Sequence, residues 1–182
     1  MIVNEEFVEE SQRLCKDTFT LYICNILAST PRYMSYNPSI LDQKKWQAFF
    51  LDNSDKYQAA NPYPFIQIDD FLEEEAAEQA KNSFPAVGGA GWINYIHVNE
   101  NKHGLNKMDR IPAYLQEVIK TLNSDDFVNS LSQLTGIDGL RADPSLEGGG
   151  LHQSKKGGYL NIHADFTVHP HKRNWRRRVN LL

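Results

Sequence analysis

The change of pattern along the chain constrains its fold most. Over 112–122, Tyr114, Leu115, Val118, Ile119 and Leu122 recur at helical spacing. Ser124 can cap a further helix that ends at Gly136, with Leu131 and Leu134 turned to the core. From Gly148 onward the texture changes to glycines and short apolar runs, which suits β-strands joined by tight turns. Helices first and strands later predict an α+β chain whose β-rich part looks incomplete.

The first 60 residues extend the helical part. Phe7, Leu14, Leu21 and Ile26 predict a helix over 5–28, and Pro31 and Pro38 bound a loop. Asp42 can cap a second helix carrying Trp46, Phe49, Phe50 and Tyr57. "NPYP" at 61–64 is a turn and a boundary, so residues 1–60 read as a helical leader and 61–182 as the main domain. Phe65 to Ile68 alternates as a short strand does. Asp70 is the expected N-cap of the next helix, with Glu73, Glu74 and Glu75 in its first turn, where the dipole favours acids. That helix would carry Leu72, Ala76, Ala80 and Phe84 and stop before Pro85, and "WINYIHV" at 92–98 alternates like a strand.

Composition narrows the function classes. A chain of 182 residues can bury one real core, and 41% apolar with 23% charged residues is ordinary for a soluble domain. A net charge of −4 gives no bulk reason to expect nucleic acid as a partner. Cys15 and Cys24 are nine positions apart, which fits neither a redox pair nor a zinc knuckle, so a reducing cytoplasm is the expected compartment. The acidic start "MIVNEEFVEE" does not read as a signal peptide. The 11-residue stretch "TFTLYICNILA" is too short to cross a bilayer and reads as part of a buried helix, so no membrane partner is expected.

The chemistry concentrates in "GGYLNIHADF". On a strand, residues i and i+2 share a face, so His163 and Asp165 would project into one cavity. They would supply a nitrogen and a carboxylate oxygen to one metal ion. A second His from a distant strand would complete a 2-His-1-carboxylate facial triad on Fe(II), leaving positions for a 2-oxo acid and O2. Alone, the tripeptide is a weak signal and reads more readily as a surface loop or a satisfied core histidine.

The blocks "YPFIQIDDFLEEEAAEQAKNSFP", "LEGGGLHQSKKGGYLNIHADF" and "HPHKRNWRRRVNLL" follow in that order. Over roughly 62–182 the chain resembles the 2-oxoglutarate/Fe(II)-dependent dioxygenases, in their prolyl-hydroxylase-like branch. The resemblance implies a double-stranded β-helix (jelly-roll) of which only the first strands are present. It implies Fe(II) and 2-oxoglutarate as cofactors, with ascorbate as a candidate reductant. The partners are O2 and a small-molecule or peptide substrate: a peptidyl proline, an amino acid or a saccharide. His163 and Asp165 match the first two iron ligands and the catalytic pair. Gly157 and Gly158 match the hairpin that feeds them. "RRRVNLL" matches the strand lining the cosubstrate pocket, with Asn180 facing the cosubstrate. Gln153, ten residues before His163, stands where many relatives carry a cosubstrate-contacting Tyr, and Tyr159 is one position off a second pocket Tyr. The family's distal His, and the Arg or Lys that pairs with the far carboxylate of 2-oxoglutarate, would lie beyond residue 182. The expectation is therefore the N-terminal part of an oxygenase.

The remaining histidines invite plainer readings. His152, His169 and His171 read as solvated loop residues, and His97 and His103 as structural or surface ones. "HKRNWRRR" sets five basic residues around Trp175, more consistent with a loop after the iron ligands than with a nucleic-acid grip. "GGG" at 148–150 is followed by no Gly-Lys-Ser/Thr and reads as a turn. Two competing functions stay open: a truncated or degenerate non-catalytic domain acting as an interaction module, and a cupin-type protein using another metal.

Overall fold

A computed structural model describes residues 20–25, 37 and 39–182, the first of these segments by its backbone. The chain is mixed helix and open antiparallel sheet, an α+β arrangement. In order, the described elements are β1 (Thr20–Asn25), α1 (Gln43–Asp52), α2 (Ser54–Ala59), α3 (Glu74–Asn82), β2 (Ile93–His97), β3 (Glu100–Leu105), α4 (Ala113–Leu122), α5 (Asp125–Thr135), β4 (Gly150–Gln153), β5 (Tyr159–Leu160) and β6 (Val179–Leu181). The strands run β2-β3-β4-β1-β6 across the sheet, and β5 also pairs with β3.

The helices start and stop where local chemistry asks. Asp42 accepts the Lys45 N–H at 3.1 Å and caps α1. Ser124 accepts the Phe127 N–H at 3.3 Å and caps α5. Gly136 ends α5 at φ 67°, a left-handed conformation that costs glycine least. Pro112, which has no N–H to satisfy, precedes α4.

The core has two parts joined by α4. Val118 and Leu122 pack with Trp46, Phe50, Phe127, Val128, Leu131 and Leu134 between the helices. Leu115 and Ile119, on the same helix, pack with Leu105, Ile111, Leu146 and Leu151 against the sheet. Phe127 meets Phe50 and Phe71 edge-on, each at 5.9 Å between ring centroids. Burying a side chain of this size contributes about 1.5–3 kcal/mol.

Four sequence expectations need correction. The helix predicted over 5–28 meets a strand at 20–25, where β1 pairs with β4 (Leu21 opposite Leu151) and with β6 (Cys24 opposite Asn180). The rest of that stretch lies outside the described residues. Residues 65–68 form no strand: Ile66 and Ile68 do turn inward, but against the helical core, without a ladder partner. Asp70 is no N-cap; it sits at φ 50°, and α3 starts later, after Glu73. Its first turn does carry Glu74 and Glu75, as the dipole favours. Finally, of "RRRVNLL" only Val179–Leu181 is strand.

Beyond β5 the chain has no regular structure through 163–166 and then folds back on itself. An isolated antiparallel bridge joins Val168 to Arg176. The His169 N–H donates to the Trp175 carbonyl at 3.1 Å, and the Arg177 N–H to the Thr167 carbonyl at 3.0 Å. Lys172 lies over the Trp175 ring, 3.8 Å from its centroid. This return loop carries the chain from Asp165 back to Arg177 and into β6.

Candidate metal centre

His163 and Asp165 do not lie on a strand; they occupy the irregular segment between β5 and the return loop. Their side chains meet all the same: His163 Nε2 stands 3.5 Å from Asp165 Oδ1. The imidazole is held from behind, since His163 Nδ1 is 2.8 Å from the Asn161 carbonyl. A carbonyl oxygen only accepts, so Nδ1 carries the proton. In the neutral ring, Nε2 then points a lone pair at a carboxylate oxygen. That arrangement is repulsive unless a proton or a cation lies between the two atoms. Two ligands each about 2.1 Å from one ion stand roughly 3–3.5 Å apart, so the pair fits a shared cation. Backing of a ligating imidazole by a carbonyl is also what metal-binding histidines require.

The far oxygen of Asp165 is already engaged. Arg177 Nη1 reaches Oδ2 at 2.7 Å, and Asn180 Nδ2 donates to it at 2.9 Å. Half-burial by itself would raise the Asp165 pKa. The charge of Arg177, the hydrogen bonds from Asn180 and Arg177, and the nearby His163 outweigh it and hold the carboxyl below its usual range. An open cavity of about 210 Å3 lies beside Asp165, lined by Asp165, Phe166, Thr167, Arg177, Arg178 and Asn180 among others, and His163 is not part of its lining.

The three remaining site candidates are dispersed. Asn180, on β6, touches Asp165 as above. Gln153, on β4, stands opposite His103 on β3, and its Oε1 is buried without a hydrogen-bond partner among the described residues. Tyr159, on β5, donates its hydroxyl to the His97 carbonyl at 3.1 Å and does not line the cavity beside Asp165. Among the described residues, no third His, Cys, Asp or Glu joins His163 and Asp165 in a metal-holding group.

Sequence reasoning missed three features, one being that His152, expected as a solvated loop residue, lies on β4 with both ring nitrogens buried. Arg177 was legible only as one basic residue in a run, yet its side chain is 7% exposed and sits against Asp165. Nothing in three consecutive arginines singles it out; only the folded chain covers Arg177 between the exposed Arg176 and Arg178. His169 is not a solvated loop residue: it is 1% exposed and contacts the fully buried Asp143, with Nε2 3.3 Å from Oδ2. Its Nδ1 accepts the N–H groups of His171 and Lys172, so the Nε2–H is the one that faces Asp143. Asp143 also accepts from both the hydroxyl and the N–H of Ser145, from the Glu147 N–H and from Lys172. This cluster fastens the return loop to the segment before β4. His171 is exposed as expected, and His97 pairs with Glu100 at 2.7 Å on the surface.

Among the described residues no helix is long and apolar enough to cross a membrane. Comparisons with protein-family models, with curated proteins and with solved structures find no match for this chain.

Proposed function

We propose that residues 61–182 belong to a 2-oxoglutarate- and Fe(II)-dependent dioxygenase domain of the jelly-roll class, with His163 and Asp165 as two of its three iron ligands. The single observation that supports this reading most is the His163–Asp165 pair. An imidazole with Nδ1–H bound to a carbonyl presents Nε2 to a carboxylate oxygen 3.5 Å away. When bound, iron and 2-oxoglutarate would supply the oxidising power that hydroxylates a C–H bond at the expense of O2. The chain's own contribution is to hold the two donors, to keep Asp165 ionised, and to shape the cavity in which Asn180 and Thr167 offer polar contacts. Among the described residues no third His, Cys, Asp or Glu completes the ligand set beside this pair.

The test is a titration of the chain with Co(II), an air-stable spectroscopic substitute for Fe(II), followed by visible absorption. His163→Ala and Asp165→Ala are each expected to weaken binding by about tenfold or more. In a full-length oxygenase supplied with Fe(II), 2-oxoglutarate and O2, succinate formation is expected to vanish in Asp165→Ala. Equal Co(II) binding by the native chain and both variants refutes the reading. Activity with zinc and no consumption of 2-oxoglutarate would favour the cupin-type alternative. The interaction-module reading draws on a different observation. Ile96 and Val98, on and just after the edge strand β2, are 67% and 81% exposed, and Ile162 beyond β5 is 56% exposed. Asp165→Ala would then leave function untouched.

A further inference from the structure

We infer that Arg177 is the specificity-determining residue of this centre: it restricts Asp165 to one coordinating oxygen and so selects a transition-metal cation over calcium. The inference rests on the metal-binding reading of His163 and Asp165.

Arg177 is held on three sides. Its Nη1 meets Asp165 Oδ2 at 2.7 Å, its Nη2 donates to the Glu147 carbonyl at 3.1 Å, and its guanidinium lies over the Phe166 ring at 4.0 Å. Room for it is made by Gly148, at φ 66°, where an added Cβ would collide with the guanidinium. The group cannot swing away without breaking all three contacts, so its hold on Oδ2 is a fixed part of the site. Asn180 takes a second lone pair of the same oxygen at 2.9 Å. Oδ1 alone faces His163 Nε2.

Two consequences follow for a cation. Calcium takes six to eight oxygen ligands, commonly with a carboxylate in bidentate mode, and this carboxylate has one oxygen to give. A smaller transition metal is satisfied by one carboxylate oxygen and one imidazole nitrogen as part of a facial set. The guanidinium charge beside the carboxylate also lowers the pull on a hard cation, which is held by charge more than by donor type. Removing Arg177 therefore leaves the second oxygen held by Asn180 alone and uncovers the charge, and both changes favour calcium more than cobalt.

The experiment measures the apparent Kd of the chain for Co(II) directly and for Ca(II) by competition, in the native protein, Arg177→Gln and Asn180→Ala. In Arg177→Gln the ratio of the calcium Kd to the cobalt Kd is expected to fall by about tenfold, a differential of one decade in binding constant. Asn180→Ala, an exposed change, is expected to lower the ratio in the same direction by a smaller factor. If Arg177→Gln does not fold, Arg177→Lys, which lacks the fork that spans Asp165 Oδ2 and the Glu147 carbonyl, carries the test. A ratio that stays at the native value while both affinities move together overturns the inference, because Arg177 would then be a structural ion pair only. That outcome leaves the metal centre standing. Native protein that binds neither ion at His163 and Asp165 overturns both, and the two failures are thus told apart.

Discussion

Replacing Asp143 by Ala tests whether the return loop is held by buried charge. Asp143 is wholly buried and accepts from Ser145, Glu147, His169 and Lys172. Ser145 is exposed and Lys172 is one-third exposed, so water can take over those donors. The His169 Nε2–H, on a ring 1% exposed, has no such recourse. One orphaned buried donor costs about 1–3 kcal/mol, and breaking a buried ion pair by removing one partner costs about 3–5 kcal/mol. With most donors able to rehydrate, the low end applies, and Asp143→Ala is expected to lose about 3 kcal/mol at pH 7. Urea denaturation with an unchanged m-value measures it. Hydrogen exchange at the His171 and Lys172 amides, which donate to His169 Nδ1, should accelerate in the variant. Burial raises the Asp143 pKa, but the Ser145 and Glu147 donors and Lys172 more than offset this and leave it below its ordinary value. The stabilisation is therefore fully present above about pH 4 and fades only as pH falls through the lowered folded value. A loss under about 1 kcal/mol at pH 7, within the range of an ordinary surface substitution, would refute the reasoning.

Two further outcomes are expected. Burial, with nearby Lys102 adding to it, pushes the His152 pKa from 6.5 down to about 4. The unfolded chain thus takes up a proton that the folded chain refuses, and stability should fall by about 3 kcal/mol between pH 6.5 and 4. Urea midpoints across that range check this, and an equal slope in His152→Gln would sink it. Ser124→Ala removes the cap on Phe127 N–H and the hydroxyl bond to the Thr121 carbonyl at 2.7 Å, at a buried position. It should cost about 1–2 kcal/mol in the same assay, and an unchanged midpoint would deny the cap its role.

What the sequence determined by itself was local. The periodicity of 112–122, the caps Asp42 and Ser124 and the left-handed Gly136 depend on residues within a few positions of one another, and they came out where the pattern placed them. The one-residue spacing of His163 and Asp165 likewise left the two side chains within 3.5 Å of each other, off any strand. Tertiary structure decided whatever depends on a distant partner. Residues 20–25 carry a pattern that suits a helix, yet β4 and β6 offer backbone groups to pair with. Ile66 and Ile68 alternate like a strand, yet the helical core takes them instead. His169 reads as one more loop histidine until Asp143, 26 positions earlier, closes over it. Arg177 reads as one of a basic run until Gly148 and Phe166 make a place for it beside Asp165. Periodicity reports how a segment faces its own neighbours. Burial, charge pairing and strand ladders are settled by which remote surfaces the fold brings up against it.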